Sequence, residues 1–403
     1  MPSPVSRIRR EKFTFPNPRG ESLAALAEYP VTPPRAWVLF AHCFTCSKQV
    51  GAATRISRAL AGQGFGVLRF DFTGLGNSEG DFANTNFTSN VDDLRAAAEY
   101  LRAHHSAPAI LIGHSLGGAA VLGVAGDLPE VRAVVTIGAP CDPQHVLRLF
   151  APALDEIEAR GEATVDIGGR PFRIKRQLVE DLRRQDLAGR IAALRRPLLI
   201  LHSPRDRVVG IDQARCIYEH ARHPKSFVSL DTADHMLSDP RDAEYVAGLL
   251  TAWAGRYVPA PAPAGPAPDD DEEVLVREVG GEYLNEIRVR GHRFYADEPL
   301  DVGGQDGGPK PTEYLLAALG SCISITLRMY VHHKGFPVDE IAVRLRQLPG
   351  GRDEPTRLRV QVQLRGAVDD AQLKRIGAIA RRCPVHRILT GPVEVEHGIE
   401  RVG

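Results

Sequence analysis

Short apolar, β-branched runs recur along the first half of the chain: AWVLFAH (36–42), FGVLRFDF (65–72), AILIGH (109–114), AVVTIG (133–138), PLLILH (197–202) and SFVSL (226–230). Longer stretches with helical spacing, such as 89–104 and 115–126, separate most of them. Unbroken apolar strands alternating with helices predict a parallel sheet covered on both faces, an α/β architecture. Residues 141–195 interrupt this alternation with a charge-rich stretch of helical pattern that reads as an insertion. Beyond residue 273 the pattern changes. Strands with tight turns (VGGEY, VRGHR) are expected over 274–297, and a long helix over 311–334. Alternating strands follow at 341–348 and 358–364, then a helix at 369–381, with short strands closing the chain. Strands segregated from two helices predict an α+β unit. Between the two patterns lies VPAPAPAGPAPDDDEE (258–273), in which Pro-Ala alternation and an acidic run describe a solvated, semi-rigid spacer. The expected domains are therefore 1–257 and 274–403, joined by 258–273.

Composition narrows the functional classes. Fifty basic residues balance fifty acidic ones among 403, so the chain lacks the net charge that would mark a nucleic-acid partner or an anionic membrane surface. The N-terminal MPSPVSRIRREKFTF has charge but no apolar core of a secretory signal. No apolar run is read as approaching the roughly 18 residues of a membrane span. Six cysteines are too few for a disulfide scaffold, so a cytoplasmic location with reduced thiols is expected, and any role for sulfur is then reactive.

The first chemical signal is GHSLG (113–117), which follows the strand at 109–112 and precedes an apolar helix. A turn that tight needs small neighbours, here Gly113, Gly117 and Gly118, and it pushes the Ser115 hydroxyl outward as a nucleophile. Serine needs a base, expected in the chain order Ser, Asp, His. HSPRDRVV (202–209) offers Asp206 and DTADHMLSD (231–239) offers His235, each after a strand, where sites form in open α/β sheets. Asp206 would hold the imidazole tautomer and stabilise its cation. Asp234 reads as a loop carboxylate.

With these residues in place, positions 20–255 resemble an α/β-hydrolase. DFTGLGNSEG (71–80) is similar to that family's D-x-R-G-x-G-x-S turn, with Thr73 in place of arginine. The resemblance implies an eight-stranded, mostly parallel sheet with a cap after its sixth strand, matching 141–195. It also implies that AHCFTCSK (41–48) is the oxyanion loop, with the N–H groups of Phe44 and Leu116 as donors. Cys43 stands where the family carries glycine. Cys43 and Cys46 could be structural thiols, a reversible disulfide, or, with His42, three ligands of a metal site that needs about four.

In the second half, GPKPTEYLLAALGSC (308–322) opens the long helix, where Pro311 and Glu313 suit the first turn. Leu315, Leu319, Cys322 and Thr326 are expected on one buried apolar face, with Cys383 ending the second helix in RRCPVH. Two small buried residues would be the plain reading. Residues 274–403 nonetheless resemble the OsmC and organic hydroperoxide reductase family, whose two cysteine motifs match in order. That resemblance implies Cys322 as peroxidatic thiol, Cys383 as resolving thiol, an external thiol reductant, and an intertwined homodimer in which an arginine, Arg290 or Arg293, activates Cys322. Glu313 resembles the glutamate that orients this arginine, but it lies nine residues before Cys322 rather than ten, a rotation of about 100° on a helix. The combined expectation is a serine hydrolase of small acyl esters fused to a thiol peroxidase of organic hydroperoxides, with no metal or nucleotide cofactor. The alternative is an esterase whose second half is a dimerisation or redox-sensing module.

Overall fold

The computed structural model describes residues 8–49, 51–167, 169–258, 273–350 and 354–401. It divides into two compact units, 1–269 and 270–403. The expected spacer falls almost wholly at 259–272, outside the described residues.

The first unit is built on an eight-stranded sheet. Its strands are β1 (Ile8–Pro16), β2 (Ser22–Pro30), β3 (Trp37–Ala41), β4 (Gly66–Phe70), β5 (Pro108–His114) and β6 (Ala133–Ile137). A cap hairpin, β7 (Glu162–Asp166) and β8 (Pro171–Lys175), intervenes before β9 (Leu198–His202) and β10 (Lys225–Ser229). The sheet order is β1-β2-β4-β3-β5-β6-β9-β10. Only β1–β2 and β2–β4 pair antiparallel. Every residue of β3, β4, β6 and β9 is buried, as expected for strands covered on both faces. The covering helices are α1 (Gly51–Gly62), α2 (Phe87–His104) and α3 (Leu116–Val124), followed beyond the cap by α7 (Ile211–His220) and α8 (Pro240–Tyr257). Asn86 and Ser89 form a capping box that starts α2, and Asp239 with Pro240 starts α8. Glu28 of β2 and Arg69 of β4 form a buried ion pair at 2.5 Å, joined from the surface by Arg10 and Arg58. The eight strands that the resemblance implied are present, and the six apolar runs read from the sequence are all of them but β1 and β2.

The cap follows β6, the sixth strand, and is not wholly helical. A 3-10 segment (Pro143–Ala153) leads to α4 (Leu154–Arg160), the β7–β8 hairpin, α5 (Arg176–Arg184) and α6 (Leu187–Ala193). Phe150, Ile157, Ile174, Val179 and Ile191 join the core of the unit. Polar contacts from Arg173 to Asp81 (2.6 Å) and from Thr88 to Asp181 (2.6 Å) pin its rim.

The second unit is α+β. A three-stranded antiparallel sheet, β11 (Val274–Gly280), β12 (Leu284–Val289) and β13 (His292–Ala296), precedes α9 (Pro311–Lys334). A two-stranded ladder, β14 (Val338–Gln347) and β15 (Leu358–Gly366), is followed by α10 (Asp370–Ala380) and α11 (Pro384–Thr390). Leu319, Ile323, Leu327 and Val331 of α9 pack with Val338 and Ile376. Three expectations are corrected here. By length and composition α9 is apolar enough to cross a membrane, although its buried stripe serves as the core of this small unit. Pro384 begins a helix instead of only ending one. Residues 391–401 form no strand.

Candidate active site

Ser115 joins β5 to α3 at φ 56° and ψ −126°, a strained conformation for a residue with a Cβ. Its N–H donates to Ile137 O at 2.9 Å, and its carbonyl accepts from Gly118 N at 2.8 Å. Gly117 makes the approach of β3 possible: a Cβ there would lie 2.4 Å from His42 O. The serine turn and the 42–48 loop are thereby forced together.

From β9 the chain turns at Asp206. Oδ1 accepts the N–H groups of Val208 and Val209, both at 2.9 Å. Oδ2 accepts Nδ1–H of His235, which follows β10, at 2.7 Å. Burial pushes the Asp206 carboxyl up, but the His235 hydrogen bond and the two backbone N–H groups outweigh it and hold it below the ordinary carboxylate value. A carboxylate on Nδ1 requires the proton there and leaves Nε2 as an acceptor. Gly138, at φ +55°, faces this pair, and a Cβ there would sit 3.2 Å from Asp206 Oδ2 and 3.4 Å from His235 Nδ1. Because Ile137 holds Ser115 and the adjacent Gly138 faces the pair, the end of β6 brings the three residues to one rim. Ser115 Oγ makes no hydrogen bond to His235 in this structure; such contacts commonly tighten only with substrate bound. Asp234 instead accepts Ser238 N–H at 2.8 Å.

His114, before the serine, donates from Nε2 to His235 O at 2.7 Å. Burial, reinforced by His235, pushes its imidazole down to about 4, so it is a neutral strut at neutral pH. It was not anticipated, although its place beside Ser115 in the motif was the available signal.

Ser115 opens on a small pocket lined by Phe44, Leu116, Pro140, Val146 and Val209. Among the described residues neither Phe44 N–H nor Leu116 N–H donates to a protein acceptor. For Leu116 this follows from its place at the start of a helix. Cys43 and Cys46 are disulfide-bonded, with Cα atoms 5.4 Å apart, which takes both sulfurs out of use as thiolate ligands. Cys141, at the start of the cap, is bonded to Cys216 of α7. The expectation of reduced thiols is thus corrected for four of six cysteines. A separation of 75 residues left no spacing signal for the second bridge.

The far end of the 42–48 loop carries a buried ion pair between Lys48 and Asp71. Lys48 N–H also donates to Asp71 Oδ1 at 2.6 Å, and Asn77 N–H to Oδ2 at 2.9 Å. Thr73, in the arginine position, bonds the buried Asp93 carboxylate through N–H (2.9 Å) and hydroxyl (2.8 Å).

In the second unit Cys322 and Cys383 are the free cysteines. Cys383 is buried and caps α11, its Sγ accepting His386 N–H at 3.3 Å. Burial raises its thiol above the ordinary value and the neighbouring Cys322 adds to the effect. Both cysteines belong to the one apolar cluster of this unit. The expected burial of the Cys322 face is corrected. Leu319 lies on the buried stripe, whereas Leu315 is 45% exposed and Cys322 half-buried. Neither candidate arginine is hydrogen-bonded to Cys322. Arg290 sits at the exposed β12–β13 turn, and Arg293 pairs with Glu286 (2.6 Å) and Tyr295 (2.6 Å). Glu313 closes the start of α9 by accepting Lys310 N–H at 3.1 Å.

Known proteins align with both units. A family model described as serine aminopeptidase, S33, matches residues 32–165, and one described as OsmC-like protein matches 304–398. The crystal structure of the esterase domain of a Rhodothermus marinus protein is 58% identical, with a TM-score of 0.53, covering 62% of this chain and 99% of that one. A monoacylglycerol lipase of Mycolicibacterium smegmatis is 24% identical over 277 residues, covering 60% of this chain and 96% of its own. Est1E of Butyrivibrio proteoclasticus, solved with ferulic acid, is 18% identical with a TM-score of 0.51, covering 61% of this chain and 99% of that one, and shares the fold.

Proposed function

Because the chain belongs to the α/β-hydrolases of esterase and lipase type and carries an OsmC-like domain behind that unit, we propose that its first unit hydrolyses small carboxylic esters through an acyl-Ser115 intermediate. The supporting observation is the 2.7 Å hydrogen bond between His235 and Asp206 beside a serine at a strained turn. Ser115 Oγ attacks the ester carbonyl as His235 Nε2 takes its proton, and Asp206 stabilises the imidazolium. Phe44 and Leu116 N–H receive the oxyanion. The imidazolium then protonates the departing alcohol, and water, deprotonated by His235, releases the acid. A fluorophosphonate should label Ser115, with labelling lost in Ser115→Ala and His235→Ala. A p-nitrophenyl ester series run on wild type and Cys322→Ser sets the chain length. Neither labelling nor hydrolysis of any member rejects the reading.

For the second unit we propose reduction of organic hydroperoxides. Cys322 thiolate attacks the O–O bond and becomes a sulfenic acid, releasing the alcohol. Cys383 thiol then condenses with it, releasing water and leaving a disulfide that two external thiols reduce. The packing of both free cysteines in one apolar cluster supports this. Leu315, Ala318, Ile325 and Met329 lie on one exposed stripe of α9 with Cys322 at its centre, which supports a homodimer whose partner completes the thiol site. The absence of a hydrogen bond from Arg290 or Arg293 to Cys322 favours a second reading, a dimerising or redox-sensing module. Peroxide turnover with Cys322–Cys383 cross-linking by mass spectrometry separates the two: sensing predicts an altered esterase rate without turnover.

A further inference from the structure

Resting on the esterase reading, we propose that the Cys43–Cys46 disulfide positions the reaction centre: it fixes Phe44 N–H for the oxyanion and Thr45 O as a seat for the cap, so ester hydrolysis requires the bridge to be closed. The two bridged residues do different work. Phe44 lines the Ser115 cavity, and its ring packs on Phe82 (5.5 Å between centroids), which packs on Phe172 of β8 (5.1 Å). Thr45 O accepts the guanidinium of Arg170 from the turn between β7 and β8. The cap hairpin therefore rests on the same two residues that set one oxyanion donor.

Little else holds them. His42 Nδ1–H donates to Cys43 O at 2.8 Å before the bridge, and the Lys48–Asp71 pair fixes the chain after it. Inside, the remaining hydrogen bonds among the described residues are Cys46 N–H to Cys43 O at 3.2 Å and the Thr45 hydroxyl to Phe44 O at 2.7 Å, both local to the turn. Thr45 is held at φ +59°, a conformation that a threonine leaves when its ends are released. Cys43 is buried but Cys46 is half-buried, so Cys46 Sγ is the sulfur a reductant meets first. A dithiol reductant attacks Cys46 Sγ as a thiolate, expelling Cys43 thiolate. The second reductant thiol then displaces Cys46, leaving the reductant as a cyclic disulfide and the protein with two thiols, a transfer of two electrons and two protons.

The test uses the full chain, with active sites titrated by a fluorophosphonate. We measure kcat and KM for p-nitrophenyl butyrate before dithiothreitol, after it, and after reoxidation with diamide. Reduction is expected to lower kcat per titrated site about tenfold or more, up to the roughly 10²–10³ of a donor lost outright, with KM changing less than about twofold. Reoxidation restores it. Binding of a boronic acid that mimics the tetrahedral intermediate weakens by the same factor as kcat/KM. Cys141→Ala/Cys216→Ala keeps the same redox ratio. Cys43→Ala/Cys46→Ala is slow throughout and unresponsive, with an unchanged circular dichroism spectrum confirming its fold. An unchanged kcat per site on reduction overturns the inference, as does a response that follows Cys141–Cys216. Failure of the oxidised chain to label at Ser115 overturns the esterase reading and this inference with it; labelling without redox response overturns the inference alone.

Discussion

Replacing Asp206 by Asn changes one atom, and the hydrogen bonds around it dictate the result. Oδ1 accepts two backbone N–H groups and Oδ2 accepts His235 Nδ1–H. An amide has one acceptor. Turned toward the backbone it keeps two bonds worth about 1 kcal/mol each, and turned toward His235 it keeps one. The oxygen therefore stays with Val208 and Val209, and the NH₂ group faces the imidazole. His235 must then accept at Nδ1 and carry its proton on Nε2, where it cannot take one from serine. The carboxylate charge that stabilises the imidazolium is also gone. Together these predict a fall in kcat of about 10³ to 10⁴, equivalent to about 4–5.5 kcal/mol of barrier. KM should stay within about threefold, because Asp206 does not line the cavity. The assay is steady-state hydrolysis of p-nitrophenyl butyrate with fluorophosphonate titration of active sites. A variant retaining more than a tenth of wild-type kcat would refute the assigned tautomer.

Three further outcomes are expected. His114 is buried neutral with its pKa near 4, so the unfolded chain binds the extra proton below pH 6.5. Its stabilisation is full above pH 6.5 and is lost as pH falls toward 4, about 3 kcal/mol from this group, read as a urea midpoint against pH that flattens in His114→Gln. Gly138→Ala combines a positive φ with a Cβ 3.2 Å from Asp206 Oδ2, and should cost about 1–2 kcal/mol in thermal unfolding while lowering kcat at least about tenfold. Lys48→Met leaves Asp71 two backbone donors but removes its paired cation, at a cost of about 3–5 kcal/mol by urea unfolding, partly recovered by adding Asp71→Asn.

What could be read from the sequence follows from the range of the interactions. The central strands announce themselves because each is buried on both faces and must be apolar throughout, as WVLFA and LLILH are. Strand β2 was invisible because SLAALAEYP carries three alanines, weak strand formers, and is specified by pairing with β1 and β4. Ser115, Asp206 and His235 could be proposed because each follows its own strand, so topology places them at one rim. Lys48–Asp71 and Cys141–Cys216 had no such guide: their partners lie 23 and 75 residues apart on loops and helix surfaces. The end of the chain failed differently. PVEVEHGIE alternates as a strand does, yet Val393, Val395 and Ile399 are exposed and unpaired with any strand.

The same reasoning separates the two units by how complete they are in a single chain. In the first, helices cover the sheet on both faces and the cap shares its core. In the second, α9 is apolar around most of its circumference, the pattern of a helix buried on all sides, yet its 18-residue apolar window is only 28% buried. One stripe, Leu319, Ile323, Leu327 and Val331, is covered by β14 and α10. The other, Leu315, Ala318, Cys322, Ile325 and Met329, steps by three and four residues in turn, the spacing of a helix that meets another surface along a seam. Cys322 lies at the centre of that seam. Whatever satisfies the exposed apolar stripe must therefore also close over the Cys322 sulfur, change its solvation and decide which charges reach it. Burial of this stripe and the environment of Cys322 are thus a single problem with a single surface.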